Sequence, residues 1–503
     1  MLNLLTADQI RAADEYTIRN QPVTSYDLME RASSAFVTAF IAAYPDRSEE
    51  ISVYCGTGNN GGDGLAITRL LKQKGYNNIS AKIARFSERS TADFLRNYEM
   101  ALKAGITVRD LKGDVGPENE NCDVLIDALL GTGLNKPLEG LWKALAIKIN
   151  DLQKTVISVD VPTGFKSEGS MSVNDTVIRS NLTITFQRPK INFLLPESGH
   201  FIKEFKVVEI GLDEDFINSH GSPCLVLTED DVSGFLKQRQ PFDHKGTFGH
   251  VLIVAGEKET MGAALLTAEA SVFTGAGLTT ACIPSQGLMA LNVRIPEVMA
   301  VVRESVGVPK SLELKKYNSI AIGPGLGTSM GSKDLLSDLL KSVSLPVVLD
   351  ADALNLISQH YEMMPLVPEG SVLTPHVKEF DRLFGEHKSW WDRVETGIDR
   401  ASSLGVTIVL KNRYTMIFTP EGKCIFNTSG TAAMSTGGMG DVLTGMIASL
   451  IAQGYKPSIA AMLGVFLHGT AGDSIGGYVV PPSRLIKEIP LTISKFLKTK
   501  GTH

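Results

Sequence analysis

The chain has 503 residues, with 49 Lys and Arg against 55 Asp and Glu, and a formal net charge of −6. At roughly 150 residues per domain that length holds two large domains or about three smaller ones, and 43% apolar with 21% charged residues is enough to give each half its own core. The acidic balance excludes a general nucleic-acid binder, which needs a basic face, but not a site that holds an anionic metabolite through backbone N–H groups.

The start, MLNLLTADQIR, carries no basic segment ahead of its apolar residues, so no secretory signal is expected. Thr6 and Gln9 form a capping-box pair and predict a helix. The longest uncharged run, 270–293, is broken by Gly, Ser, Thr and Pro284, which predicts a small-residue helix and a loop, not a membrane span. Cys55, Cys122, Cys224, Cys282 and Cys424 are far apart and form no CxxC pair. That spacing predicts reduced thiols in a cytoplasmic protein and no zinc site.

In chain order, a strand is expected at 51–54, ending at CGTGNNGGDG, and a helix at 65–74, stopped by Gly75. A second strand is expected at 124–130, ending at GTGLNKP, and a third at 155–160, ending at VPTGF. Strand, glycine loop and helix in series specify βαβ units and a parallel sheet. Right-handed crossovers put the strand ends on one edge, where open sheets bind ligands. The pattern weakens across 211–224, read as a domain boundary. A new series follows, with strands at 251–255, 319–322, 347–350, 372–374 and 407–410 and a helix at 262–274. Residues 428–454 read as a glycine loop leading into an apolar helix at 442–451, and 459–467 as another buried helix. The small-residue helices predict a homo-oligomer.

Three loops of the first half carry candidate chemistry. Gly56 to Gly61 fit GxGxxG, but no acid follows about 20 residues later to hold a ribose, so the standard dehydrogenase fingerprint is incomplete. Asn59, Asn60 and Asp63 lie among these glycines, Asp127 precedes the second loop, and Asp160 precedes Pro162, Thr163 and Gly164. Two Asp and one Asn at neighbouring strand ends can bind a cation through oxygens or move protons. A lone strand-end Asp can also be a simple helix cap.

NNGGDG, LIDALLGTGL and ISVDVPTGF, in this order, resemble the NAD(P)HX epimerases, over residues 1–215. The resemblance implies a Rossmann-like three-layer sandwich that interconverts the R and S hydrates of the reduced nicotinamide ring. It implies substrate contacts from Asn59, Asn60, Gly61, Gly62 and Asp63, and from Gly131, Thr132, Gly133, Leu134, Asn135, Lys136 and Pro137. It further implies K+ near Asn60, Asp127 and Thr163, and Asp160 at the reacting hydroxyl.

In the second half no GxxxxGK[ST] occurs, so a P-loop is excluded. Gly437-Gly438-Met439-Gly440-Asp441 sits directly before an apolar helix, where N–H groups and the helix dipole attract a phosphoryl group. Asp441 is then placed to take a proton from an attacking hydroxyl, or else is an ordinary N-cap. Lys411 ends a strand, where it either snorkels or meets phosphate. His376 is either a local hydrogen-bonding group or a ligand contact, and His468 reads as a packed or surface residue.

KGTFGHVLIVAG, GPGLG, LDADALN, LTPHVKEF, LKNRYT and GTAAMSTGGMGDVLTG resemble the ribokinase-like dehydratase domain of the same repair proteins, assigned to 225–503. The resemblance implies dehydration of the S-hydrates of NADH and NADPH (NADHX and NADPHX) with ADP or ATP and Mg2+. The fused order implies a bacterial or archaeal member, for which ADP is the usual donor. The nucleotide would meet Lys411, Asn412, Arg413, Tyr414 and Thr415, and Thr431, Ala432, Ala433, Met434, Ser435, Thr436, Gly437, Gly438, Met439 and Gly440. The hydrate would meet Ala264, Gly325, Gly327, His376, Val377, Lys378, Glu379 and Phe380, with Asp441 as the base. A vitamin-precursor kinase with an amino-terminal nucleotide-binding module is the alternative. A catalytically silent nucleotide-binding protein is disfavoured by the presence of both Asp160 and Asp441.

Overall fold

The computed structural model describes residues 1–86, 89–111, 113, 120–134, 136–303, 308–309 and 311–499. The chain divides into an amino-terminal unit, Asn3–Ser222 with Ser389–Trp391, and a carboxy-terminal unit that holds the rest of the described chain. None of the described helices is long and apolar enough to cross a membrane.

The sheet of the amino-terminal unit is parallel throughout, in the order Thr107–Leu111, Ile79–Ala84, Ile51–Cys55, Val124–Ala128, Thr155–Val159, Leu182–Phe186, Phe205–Val208. Ile51–Cys55 and Val124–Ala128 are buried at every position, as strands covered on both faces must be. Phe36, Phe40, Leu65 and Leu71 pack on one face, and Leu145, Ala146 and Ile149 on the other, which gives three layers. The strand order reverses between Ile51–Cys55 and Val124–Ala128, the switch point at which open sheets form their ligand crevice.

The expected helix at 65–74 begins six residues earlier, at Asn59, and runs to Gln73. NNGGDG is therefore the first part of a helix, not a loop before one. The glycines are spacing devices: a Cβ on Gly61 would lie 1.9 Å from the Gly56 carbonyl oxygen, and one on Gly64 would lie 2.5 Å from Ala128 Cβ. The strands expected to reach residues 130 and 160 stop at Ala128 and Val159, where the chain turns away from the sheet.

In the carboxy-terminal unit, His250–Val254, Leu278–Pro284 and Met299–Arg303 lie to one side of a second switch point. Ser319–Ile322, Val347–Leu349, Val372–Leu373 and Thr407–Leu410 lie to the other, and all seven are parallel. Met416–Thr419 and Lys423–Phe426 continue the sheet antiparallel, followed by Cys224–Val226. The helices Met261–Thr274, Met439–Ala452 and Pro457–Ile475 share one core with this sheet. The last is far longer than the 459–467 expected, because burial around most of its circumference erases the period that marks an amphipathic helix.

The small residues that suggested a homo-oligomer are used inside this unit. A Cβ on Gly445 would lie 2.1 Å from the Thr267 carbonyl oxygen, and one on Gly472 would lie 2.2 Å from Met434 Sδ. These two glycines bring segments of this unit together within the chain. Gly445→Ala forces the Met439–Ala452 helix off Met261–Thr274 and should lower the unfolding free energy by about 1–3 kcal/mol, read by chemical denaturation. An unchanged midpoint would contradict this packing.

Candidate active sites

Asp160 leaves its strand with φ 65°, a left-handed conformation that a non-glycine residue adopts at a cost. Its backbone N–H donates to Ile184 O at 2.9 Å. Its carboxylate accepts from Thr185 Oγ1 and the Phe186 N–H, both at 3.0 Å, and pairs with Lys190 Nζ at 2.8 Å. Lys190 is itself only 1% exposed.

Asp127 is fully buried at the adjacent strand end. It accepts from Thr163 N (2.8 Å), Thr163 Oγ1 (2.7 Å), Ser158 Oγ (3.1 Å) and Leu129 N (3.3 Å). Burial nevertheless pushes its carboxyl up, against the pull of the Thr163 bonds. Asp63 is pushed up further, by burial and then by the charges of Asp160 and Asp14.

Asn60 comes close to the second loop, since a Cβ on Gly131 would lie 3.3 Å from its own Cβ. Asn60 Nδ2 is buried with no hydrogen-bond partner. Turned over, that amide presents an oxygen at the same point, and amide orientation is an assignment. Asn60, Asp127 and Thr163 then supply amide, carboxylate and hydroxyl oxygens, a donor set that fits K+. Among the described residues no group of three or more His, Cys, Asp or Glu could hold a metal ion. Gly133, Lys136 and Pro137 are exposed, Thr132 and Leu134 half-buried, and Asn135 lies outside the described residues.

The carboxy-terminal unit contains a cavity of about 760 Å³ at the edge where its parallel strands end. Of the expected nucleotide contacts, Lys411, Asn412, Arg413, Thr415, Thr431, Ala432, Met434, Ser435, Thr436, Gly438, Met439 and Gly440 line it. Tyr414, Ala433 and Gly437 are not among its lining residues. Gly438 is the helix N-cap with φ 95° and makes no side-chain cap, so the first N–H groups stay available. Gly440 admits the helix to the charges behind it: a Cβ there would lie 3.3 Å from Lys411 Nζ.

Those charges include Asp350, which accepts from Lys411 Nζ and Thr444 Oγ1, each at 2.7 Å. Burial raises the Asp350 carboxyl, but Lys411 and Thr444 outweigh it and hold it below the usual value. Asp441 is the third residue of its helix, not the N-cap. Burial, then the Asp350 charge, push its carboxyl up to about 7, against Lys411. Such a group can take up and release a proton near neutrality.

His376 also borders the cavity, as the N-cap of Val377–Phe384, where Nδ1 accepts from Lys378 N (3.1 Å) and Glu379 N (3.3 Å). Glu379 returns a bond by accepting from His376 N at 2.8 Å. His468, read as a packed or surface residue, is packed and lines the cavity, and burial lowers its pKa to about 4. Ala264 and Phe380 are fully buried and are not among the residues that line this cavity. Val377 is half-buried and Lys378 exposed. Gly327 N donates to Asp352 at 2.8 Å, and Gly325 has φ 59°. Sequence reasoning assigned no role to Asp350 or Lys190; a strand-end Asp in LDADALN was a signal for the first, and nothing marked the second.

Lys411→Met leaves Asp350 buried without its cation and should cost about 3–5 kcal/mol of stability. Because the Asp350 carboxyl is held down in the fold, its contribution is present above the unfolded carboxyl pKa and lost as pH falls through the lower folded one. Denaturation across pH 2–7 should therefore show a shallower acid limb in the variant, and an identical limb would contradict the pair's role.

The family described as YjeF-related protein N-terminus matches residues 25–192, and the one described as NAD(P)H-hydrate dehydratase matches 251–491. A Thermofilum pendens protein named bifunctional NAD(P)H-hydrate repair enzyme Nnr is 33% identical over 94% of this chain and 92% of its own length. The Escherichia coli K12 protein of the same name is 30% identical over 99% of this chain and 94% of its own. A ribokinase-like superfamily protein from Enterococcus faecalis, known as a crystal structure, has 30% identity and a TM-score of 0.50 over 55% of this chain and 98% of its own. With two units, each with its own strand-end site, and relatives that match nearly end to end, this chain belongs to the family of bifunctional NAD(P)H-hydrate repair enzymes.

Proposed function

We propose that residues 1–215 epimerise the R and S hydrates of NADH and NADPH through Asp160, and that residues 225–503 dehydrate the S form with ADP or ATP through Asp441. The arrangement that carries the second half is the uncapped helix start beside Lys411 and Asp350, with a near-neutral Asp441 in the same cavity. Hydroxide leaves a carbon poorly and phosphate leaves well. Asp441 accepts the proton of the ring hydroxyl as the hydroxyl oxygen attacks the terminal phosphoryl group, whose bond to the rest of the nucleotide breaks so that AMP leaves from ADP, or ADP from ATP. Lys411 and the N–H groups at 438–440 stabilise the charge that spreads over that group. The ring nitrogen's lone pair then expels the phosphate, and loss of a proton from the neighbouring ring carbon restores the double bond of the reduced ring. Mg2+, arriving with the nucleotide, would neutralise part of the phosphate charge.

In the amino-terminal unit, Asn60, Asp127 and Thr163 would hold K+, which would draw substrate oxygens to the strand ends. The backbone of 59–63 and 131–137 orients the hydrate, and Asp160 moves a proton at its hydroxyl. The five cysteines are buried and none is in a disulfide, which is consistent with action in the cytoplasm. A vitamin-precursor kinase would leave the amino-terminal site without a task, and the relatives above span both units.

Asp441→Asn should still bind nucleotide by calorimetry but lose S-hydrate turnover by at least about 100-fold, followed as recovery of reduced-nicotinamide absorbance. Wild-type turnover should rise as pH passes about 7, where the Asp441 carboxyl ionises. A flat profile, or full activity in the variant, would remove Asp441 from the mechanism. Asp160→Ala should leave S-hydrate turnover intact while the R form is consumed only at its spontaneous epimerisation rate. R-form consumption at the wild-type rate would overturn that assignment.

A further inference from the structure

We propose that Asp14, on the helix Ala7–Asn20, is the general acid of the amino-terminal site, and supplies to the ring nitrogen the proton that complements the one Asp160 removes from the hydroxyl. The proposal rests on the epimerase reading of that site. The helix is fixed to the loop that follows Asp160: both Glu168 carboxylate oxygens accept from the Ala7 N–H, at 3.1 and 3.2 Å. One turn beyond Asp14, Thr17 Oγ1 accepts from Asp213 N at 3.1 Å. Ala13 and Thr17 are buried, and Asp14 shares their inward face.

There Asp14 feels the charges of Asp160 and Lys190, and Asp63 feels both Asp160 and Asp14. Asp14, Asp160 and Glu168 thus share the field of one buried ammonium, that of Lys190, and Asp63 adds its charge to the same cluster through Asp160 and Asp14. Lys190 pairs directly with Asp160, and like charges this close cannot all ionise. Burial, then the Asp160 charge, push the Asp14 carboxyl up to about 7, with Lys190 opposing. Burial and the charges of Asp160 and Asp14 also push the Asp63 carboxyl well up, and its hydrogen-bond partner is Ser33. The unpartnered, buried Nδ2 of Asn60, on the helix that also carries Asp63, is an independent sign that a ligand completes this site.

The chemistry needs two proton carriers. The hydrate carbon bears both a hydroxyl and the ring nitrogen. As Asp160 takes the hydroxyl proton, the carbon–nitrogen bond breaks and its electron pair passes to nitrogen. Nitrogen takes the Asp14 proton, and the carbon becomes a carbonyl. Rotation about the adjoining carbon–carbon bond presents the other face. Nitrogen then re-attacks and returns its proton to Asp14, while Asp160 returns the other to oxygen. Nothing is oxidised or reduced, and both carboxyls end as they began.

The full chain, supplied with ADP and mixed hydrates, separates the two activities as a fast S phase and a slower R phase. Asp14→Asn should leave the S phase unchanged and lower kcat of the R phase at least about tenfold, with KM within about twofold. The wild-type R phase should fall as pH rises through about 7, where Asp14 loses its proton, and the variant should lack that limb. Asp14→Glu should restore part of the rate. Because the amide replaces a carboxyl that burial already favours neutral, the unfolding midpoint of Asp14→Asn should not fall. An R phase at the wild-type rate in Asp14→Asn, or a change in KM alone, would overturn the proposal while Asp160→Ala remains inactive. If Asp160→Ala also consumes the R form at the wild-type rate, the epimerase reading falls and this proposal falls with it.

Discussion

A parallel sheet wound by right-handed crossovers brings the carboxyl end of every strand to one edge, and the chain must leave that edge within a residue or two. Both sites depend on that turn. In the amino-terminal unit it falls on Asp160 at φ 65°, and in the carboxy-terminal unit on Ala351 at φ 47°, next to Asp350. Each conformation costs on the order of 1–3 kcal/mol and persists because its surroundings fix it. Asp160 is held by Ile184 O, Thr185, Phe186 and Lys190, and Asp350 by Lys411 and Thr444. Helices complete both edges with uncapped amino ends at Gly58 and Gly438, while other helices of the chain begin with capping boxes, at Thr6, Thr24 and Thr228. N–H groups left free at a ligand edge are available to phosphate.

The two sites share an electrostatic plan. Each sets one lysine against one paired carboxylate, Lys190 with Asp160 and Lys411 with Asp350. Each then places a further carboxyl within reach of that pair, Asp14 in one and Asp441 in the other, and burial with the neighbouring negative charge lifts both to about 7. A buried carboxyl without a cation of its own is the group whose proton is most easily exchanged at neutral pH. The roles differ by what faces them: an open cavity bordered by helix N–H groups suits phosphoryl transfer, and a crevice of oxygen donors suits proton movement at a hydroxyl.

Much of the fold was legible in the sequence because strand–glycine–helix series leave a local trace. Ser319–Ile322 and Thr407–Leu410 fall where their apolar runs put them. The misreadings have physical causes. NNGGDG reads as a loop by composition, yet it is helix, since its glycines answer to the Gly56 carbonyl and Ala128 across a crowded gap and not to a need for turning. Pro457–Ile475 was seen only in part because a helix buried nearly all round has no polar stripe. Asp441 stands beside Gly440 and Asp160 just ahead of the Pro162-Thr163-Gly164 loop, so both announce themselves. Lys190, in the unremarkable stretch QRPKINF, and Asp14, on an amphipathic helix far away in sequence, become chemical only when the sheet brings them together.

The central claim is that two separate sites act in turn on one damaged dinucleotide. The most direct measurement mixes Asp160→Ala and Asp441→Ala chains in equal amounts and follows recovery of reduced nicotinamide from pure R-hydrate with ADP. Neither chain alone should exceed the spontaneous background, and the mixture should recover the cofactor, each chain supplying the step the other lacks. Recovery by either chain alone at the wild-type rate, or a mixture no better than its parts, would contradict the account.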